Sequence, residues 1–334
     1  MSDLYPELEP YAHGELPVTG GDLLYWEVCG NPLGKPAVVL HGGPGSGCTP
    51  WHRRLFDPTL YRVVLFDQRG CGRSRPHASS FDTDLSRNTT ENLIADIEQL
   101  RLHLQIQNWL VMGGSWGSAL ALAYAQRFPK SVSELVLFGV TTGRREEFDW
   151  LFREGLGAFF PQALAQRRHA LPEAQRHCDV VEAYCQLLND PDPQIRQRAA
   201  DAWCTWESAT PDWPPSLTLA PRFQDPAFAL AFARLVTHYV RHDAWLGDGR
   251  VIANMDRIAN VPGVLISGRF DFQAPVGTAW RLHCLWPRSK MVILNNAGHT
   301  PTREVSQEII RATDEFAASR RGNRSQTQRR ECTP

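Results

Sequence analysis

The chain has 334 residues, 43% of them hydrophobic, with 35 lysines and arginines against 36 aspartates and glutamates, a formal net charge of −1. That length can bury a substantial core as one large domain or two, and the near balance of charge leaves no long-range attraction for nucleic acid or an anionic membrane surface. No apolar run reaches the roughly 20 residues that span a bilayer, and the acidic start Met1–Pro10 lacks the apolar segment of a signal peptide, so a cytoplasmic protein with no membrane partner is expected.

Leu16-Pro17-Val18 and Leu23 to Val28 flank Thr19-Gly20-Gly21-Asp22, a strand-turn-strand pattern that predicts an antiparallel entry to a sheet. Ala37-Val38-Val39-Leu40 is a continuous apolar run of the kind buried on both faces of a parallel sheet. It ends in His41-Gly42-Gly43-Pro44-Gly45, a loop whose bare backbone N–H groups can face an anion. Tyr61 to Phe66 reads as another buried strand. The loop behind it, Asp67-Gln68-Arg69-Gly70-Cys71-Gly72-Arg73-Ser74, is expected to be structural, held by its own Asp and Arg hydrogen bonds. Asn88 is expected to cap a helix with Glu91 three residues on; Leu93, Ile94, Ile97, Leu100 and Leu104 follow at helical spacing and should cover one face of the sheet.

Next comes Asn108 to Met112, a short apolar strand, then Gly113-Gly114-Ser115-Trp116-Gly117, then Ser118 to Ala125, rich in strong helix formers. A strand that turns at once into a helix needs small residues at the bend. Gly113 and Gly117 supply them, while Ser115 takes a strained conformation that pushes its hydroxyl out of the sheet. This is the nucleophile elbow of an α/β-hydrolase fold, a mostly parallel sheet flanked by helices. Glu134 to Phe138 is the next strand. From about Thr141 to Trp245 the strand-helix alternation gives way to aromatics, prolines and helix-like segments such as Val180 to Leu188 and Gln194 to Trp206. An inserted helical cap over 141–245 is expected, with the hydrolase core formed by 1–140 and 246–319. Val264 to Ser267 and Met291 to Leu294 resume the strands, Val305 to Ala318 reads as a closing helix, and the basic, polar segment 320–334 is expected to be disordered. The eight cysteines lack C-x-x-C spacing, which points to free thiols rather than a metal site or redox pair.

A serine hydroxyl is a poor nucleophile at neutral pH; it needs a base, and the base needs an orienting carboxylate. In this fold the chain order is Ser, acid, His. Ser115, Asp271 and His299 satisfy it, each just beyond a strand. The backbone N–H groups of Trp116 and Gly43 are the expected oxyanion donors. His238 and His283 compete as bases, but neither follows a core strand. Serine at the elbow, where dehalogenases and epoxide hydrolases of this fold carry aspartate, argues for acyl transfer to water.

Through His41-Gly42-Gly43-Pro44-Gly45, Asp67 to Ser74, Gly113 to Ser118, Gly268-Arg269-Phe270-Asp271 and Ala297-Gly298-His299, the sequence resembles the proline iminopeptidase family over nearly its whole length. The resemblance implies a cofactor-free, metal-free serine aminopeptidase that removes N-terminal proline from small peptides, with a helical cap closing over the pocket. It also implies that the free amine is read by a cap carboxylate in a Trp-Glu pair, matched here by Trp206-Glu207. Two positions depart from the pattern. Val236 stands where a second glutamate is expected, and Thr141 where a pocket phenylalanine is usual. Losing one amine-binding carboxylate would weaken selectivity by about 10- to 100-fold. The departures keep open an esterase or amidase with no free-amine or proline requirement; a non-catalytic binding protein is disfavoured because it has no reason to retain the whole set. Nothing in the sequence fixes an oligomeric state.

Overall fold

The computed structural model describes residues 4–216 and 218–331, with side chains followed through residue 318. Eight strands, β1 (Ala12–Pro17), β2 (Leu23–Gly30), β3 (Lys35–Leu40), β4 (Tyr61–Phe66), β5 (Trp109–Gly114), β6 (Val132–Phe138), β7 (Gly263–Gly268) and β8 (Ser289–Leu294), form one sheet in the order β1-β2-β4-β3-β5-β6-β7-β8. The hairpin β1–β2 and the pair β2–β4 are antiparallel; every other neighbouring pair is parallel. Register sets the site. Leu40 lies opposite Gly113, Gly114 opposite Phe138, and Gly268 opposite Leu294, so the loops after β3, β5, β6, β7 and β8 leave from one rim.

The helices are α1 (Pro50–Arg53), α2 (Thr90–His103), α3 (Trp116–Arg127), α4 (Arg145–Phe148), α5 (Pro161–His169), α6 (Val180–Leu187), α7 (Pro193–Ala209), α8 (Pro226–Arg241), α9 (Arg250–Ala253), α10 (Val276–Leu285) and α11 (Arg303–Glu331). Along the central strands the side chains alternate between two apolar layers. Val38, Leu40 and Val111 pack with Leu93 and Ile97 of α2, Ala119 and Leu122 of α3 and Leu282 of α10. Ala37, Val39, Leu110 and Met112 pack with Val305, Ile309 and Ala312 of α11. Each buried Leu, Ile or Val stabilises this sandwich by roughly 1.5–3 kcal/mol relative to exposure. Between β6 and β7, α6, α7 and α8 enclose a separate cluster with Tyr184, Trp203, Phe232 and Val236 inside it.

Two local expectations change. The cap of α2 is Thr89, whose hydroxyl accepts from Asn92 N at 3.3 Å; Asn88 instead donates its amide to Arg69 O at 3.0 Å, pinning the 67–74 loop. The C-terminal helix does not stop near Ala318 but continues to Glu331, through most of the stretch expected to be disordered. Its arginines, glutamines and glutamate are good helix formers, and no proline interrupts them. Residues 332–334 of that expected tail lie outside the described residues. Among the described residues, no helix is long and apolar enough to cross a membrane.

Candidate active site

At the bend between β5 and α3, a Cβ on Gly113 would lie 2.2 Å from Gly117 O, and one on Gly117 only 2.0 Å from Leu40 O. Only glycine lets strand, helix and neighbouring strand approach so closely. Ser115 sits between them at φ 54°, ψ −126°, a conformation that non-glycine residues seldom adopt and that costs on the order of 1–3 kcal/mol. Its N–H donates to Phe138 O at 3.0 Å, which ties the elbow to the end of β6.

The strain aims Ser115 Oγ at His299 Nε2, 2.9 Å away and 184 residues along the chain. His299 Nδ1 lies 2.9 Å from both carboxylate oxygens of Asp271. Asp271 is buried, and its Oδ1 also accepts from Ala274 N at 2.8 Å. Carboxylate contact on Nδ1 places the ring proton there and leaves Nε2 free to accept from serine. Burial by itself lowers an imidazole pKa, but the charge of Asp271 and its hydrogen bond outweigh that effect and hold His299 above its ordinary 6.5. The three residues expected from sequence therefore meet. The two competing histidines are occupied elsewhere: His238 Nε2 lies 3.1 Å from Asn88 O, with burial lowering its pKa to about 4, and His283 Nδ1 lies 2.7 Å from Ser289 Oγ.

Gly43 and Trp116 both border a small recess of about 40 Å³ beside Ser115. Among the described residues neither amide N–H has a hydrogen-bond acceptor, so both remain available to an oxyanion. The 67–74 loop holds them in place. Gln68 N donates to His41 Nε2 at 3.0 Å, Gln68 Nε2 donates to His41 O at 3.0 Å, and Gln68 Oε1 accepts from Trp116 Nε1 at 3.1 Å. One side chain thus braces both the glycine loop and the residue after the nucleophile. The loop is structural as expected, although it is not held only by itself: Arg69 reaches out to Asp96 on α2 at 2.6 and 2.7 Å, while Asp67 accepts from Cys48 N and Arg73.

A cavity of about 600 Å³ is lined by Ser115 and His299 together with Glu207, Asp212, Arg222 and Phe232. Glu207 is buried and accepts from Trp203 Nε1 at 3.2 Å. Burial raises its pKa above the ordinary carboxylate value, opposed by the charge of Arg222, the Trp203 bond and the charge of Arg167. A buried acid of this kind gains from a cationic partner. Thr141 lines the smaller recess, its hydroxyl donating to Glu147 Oε2 at 3.1 Å. Val236 does not line either space; it is fully buried within the apolar cluster of α6, α7 and α8.

The segment between β6 and β7 grips the catalytic loops. Pro211 O accepts from His299 N at 2.7 Å and Thr300 N at 3.2 Å. Trp213 stacks on Phe270 at 4.2 Å, Trp150 Nε1 donates to Phe272 O at 2.7 Å, and Gln273 Nε2 donates to Thr210 Oγ1 at 2.7 Å. Gly139, beyond β6, faces the imidazole: a Cβ there would lie 3.0 Å from His299 Cε1 and 3.2 Å from Nδ1. Gln68, Gly139, Pro211, Arg222 and Trp203 were not singled out from sequence. Of these, only Gly139 carries a sequence signal, as a glycine directly after a buried strand.

Residues 35–302 match the α/β hydrolase fold family. Over 318 residues the chain is 52% identical to a probable proline iminopeptidase of Streptomyces coelicolor, covering 94% of this chain and 98% of the relative. It is 44% identical over 317 residues to a proline iminopeptidase of Arabidopsis thaliana, covering 94% of this chain and 82% of that one. Among solved structures, a proline iminopeptidase of Mycobacterium smegmatis superposes with a TM-score of 0.53 at 21% identity, over 92% of this chain and 98% of the other. An esterase from a Rhodococcus species gives 0.56 at 19%, over 92% and 98%; at such identities the likeness is one of fold. The chain belongs to the α/β-hydrolase fold family and, within it, to the proline iminopeptidases.

Proposed function

We propose that this protein is a serine aminopeptidase that releases N-terminal proline, or another small residue, from peptides. The observation that carries the reading is the hydrogen-bonded series Ser115–His299–Asp271 opening into a cavity that is also lined by the buried carboxylate of Glu207. An acyl-transfer centre with an acid in the same cavity is suited to a substrate whose scissile carbonyl lies one residue from a free amine.

In this mechanism His299 Nε2 takes the Ser115 proton as Oγ bonds to the carbonyl carbon. The carbonyl oxygen becomes an oxyanion held by the Gly43 and Trp116 N–H groups. Collapse breaks the C–N bond, and the proton on Nε2 passes to the departing amine. Water then gives a proton to His299 as its oxygen bonds to the acyl carbon; the C–Oγ bond breaks and His299 returns the proton to Ser115 Oγ, releasing the amino acid. Asp271 keeps the ring in the useful tautomer and offsets the imidazolium charge. Glu207 binds the substrate's ammonium group. The free cysteines among the described residues accord with a cytoplasmic site of action.

Hydrolysis of Pro-naphthylamide, N-acetyl-Pro-naphthylamide and p-nitrophenyl acetate tests the reading. Free-amine substrate is expected to turn over and its acetylated form to be inert. Equal turnover of the two proline substrates would overturn the amine requirement, and failure of a fluorophosphonate to label Ser115 would overturn the acyl-enzyme.

A further inference from the structure

Arg222 lies on the single turn Pro221–Gln224 just before α8 and lines the same cavity as Ser115, His299 and Glu207. Its guanidinium is held over two aromatic rings, 4.5 Å from the centroid of Phe223 and 5.2 Å from that of Phe232. It donates to Ser46 Oγ at 3.5 Å, one long bond for a group with five N–H donors. Arg53, Arg69, Arg73, Arg144 and Arg153 each have a bonded carboxylate. Among the described residues, Arg222 forms no such ion pair. A planar, oriented cation with spare donors is matched to a carboxylate, which it can bind through two parallel hydrogen bonds.

The cavity thus has a buried acid, a guanidinium without a bonded carboxylate and the nucleophile in its lining. A short peptide has the complementary charges: an ammonium group at one end, a carboxylate at the other, and the scissile bond between them. The volume of about 600 Å³ falls within the range that encloses a small ligand. We propose that Arg222 binds the terminal carboxylate of short peptides, so that di- and tripeptides with a free C-terminus, rather than the N-termini of long chains, are the preferred substrates. This rests on the aminopeptidase reading and adds the far end of the substrate to it.

The test compares Pro-Ala with Pro-Ala-amide and Pro-Ala-Ala with Pro-Ala-Ala-amide. Wild-type enzyme is expected to favour the acid at one or both lengths by roughly 10- to 100-fold in kcat/KM, mostly through KM, the value of one charge-assisted contact. Arg222→Gln should bring that ratio near one and Arg222→Glu should reverse it. Because each ratio is taken within one variant, a smaller active fraction cancels. Arg222→Lys, which keeps charge without the fork, should retain a reduced preference and serves if the other variants do not fold. Wild-type ratios near one at both lengths, or a ratio unchanged by Arg222→Gln, would overturn the proposal. Pro-naphthylamide, which has no carboxylate, keeps the two readings apart: its turnover by wild type supports the aminopeptidase whatever the ratios show.

Discussion

Replacing Gly139 with alanine tests the triad through a residue that takes no part in chemistry. The new Cβ would meet His299 Cε1 at 3.0 Å, where ordinary contact begins near 3.4 Å, so something must yield by 3.4 − 3.0 = 0.4 Å. The backbone resists, because Gly139 N donates to Ile266 O at 3.2 Å and the preceding carbonyl, Phe138 O, accepts from Ser115 N. The imidazole therefore gives way, and it moves relative to both Oγ and Asp271. A misplacement of 1 Å costs about 100-fold in rate, so 0.4 Å corresponds to roughly 5- to 10-fold in kcat, with KM little changed. Gly139 also sits at φ +53°, where a side chain costs about 1–2 kcal/mol, so the variant should melt earlier. Steady-state kinetics on Pro-naphthylamide, fluorophosphonate labelling rates and thermal unfolding read the three effects. A folded Gly139→Ala enzyme with wild-type kcat and labelling rate would refute the reasoning.

Glu207→Gln keeps an acceptor for Trp203 Nε1 but removes the charge, and KM for Pro-naphthylamide should rise by about 10- to 100-fold with a smaller change in kcat. Ser115→Ala should lose on the order of 10⁶ in turnover, by analogy with serine proteases, and should not be labelled. His299 must be neutral to act as base and its pKa is raised, so the acid limb of kcat/KM should have its midpoint above 6.5, activity falling as pH drops through it; a midpoint at or below 6.5 contradicts the Asp271 contact. On the alkaline side, recognition should fade as the substrate amine deprotonates near pH 7.7–8.0. Gln68→Ala removes the brace shared by His41 and Trp116 and should cut kcat by about 10-fold, a fraction of the 10²–10³ typical of losing an oxyanion donor outright; an unchanged kcat would mean that the donors hold their positions without it.

The parts of the site that could be read from sequence are those the chain encodes locally. A buried strand, a glycine pair and a helix-forming run are contiguous around Ser115, and Asp271 and His299 each follow a recognisable apolar strand. Parallel pairing then brings all three to one rim without further information. The supporting residues depend on contacts between distant segments. Gln68 acts across to Trp116, Pro211 across to His299, and Arg222 on a cavity that other elements also line. Val236 shows the converse: alignment with a family glutamate suggested a pocket position, yet the packing of α8 against α6 and α7 turns that residue into an enclosed apolar cluster. At the C-terminus, composition suggested disorder, while the helical preference of arginine and glutamine extends α11.

The carbonyl of Pro211 receives both N–H groups of His299 and Thr300, and Trp213 lies flat on the ring preceding Asp271. These contacts tie the position of the general base and its carboxylate to the 211–213 stretch, so a substitution that displaced that stretch would disturb His299 and Asp271 together.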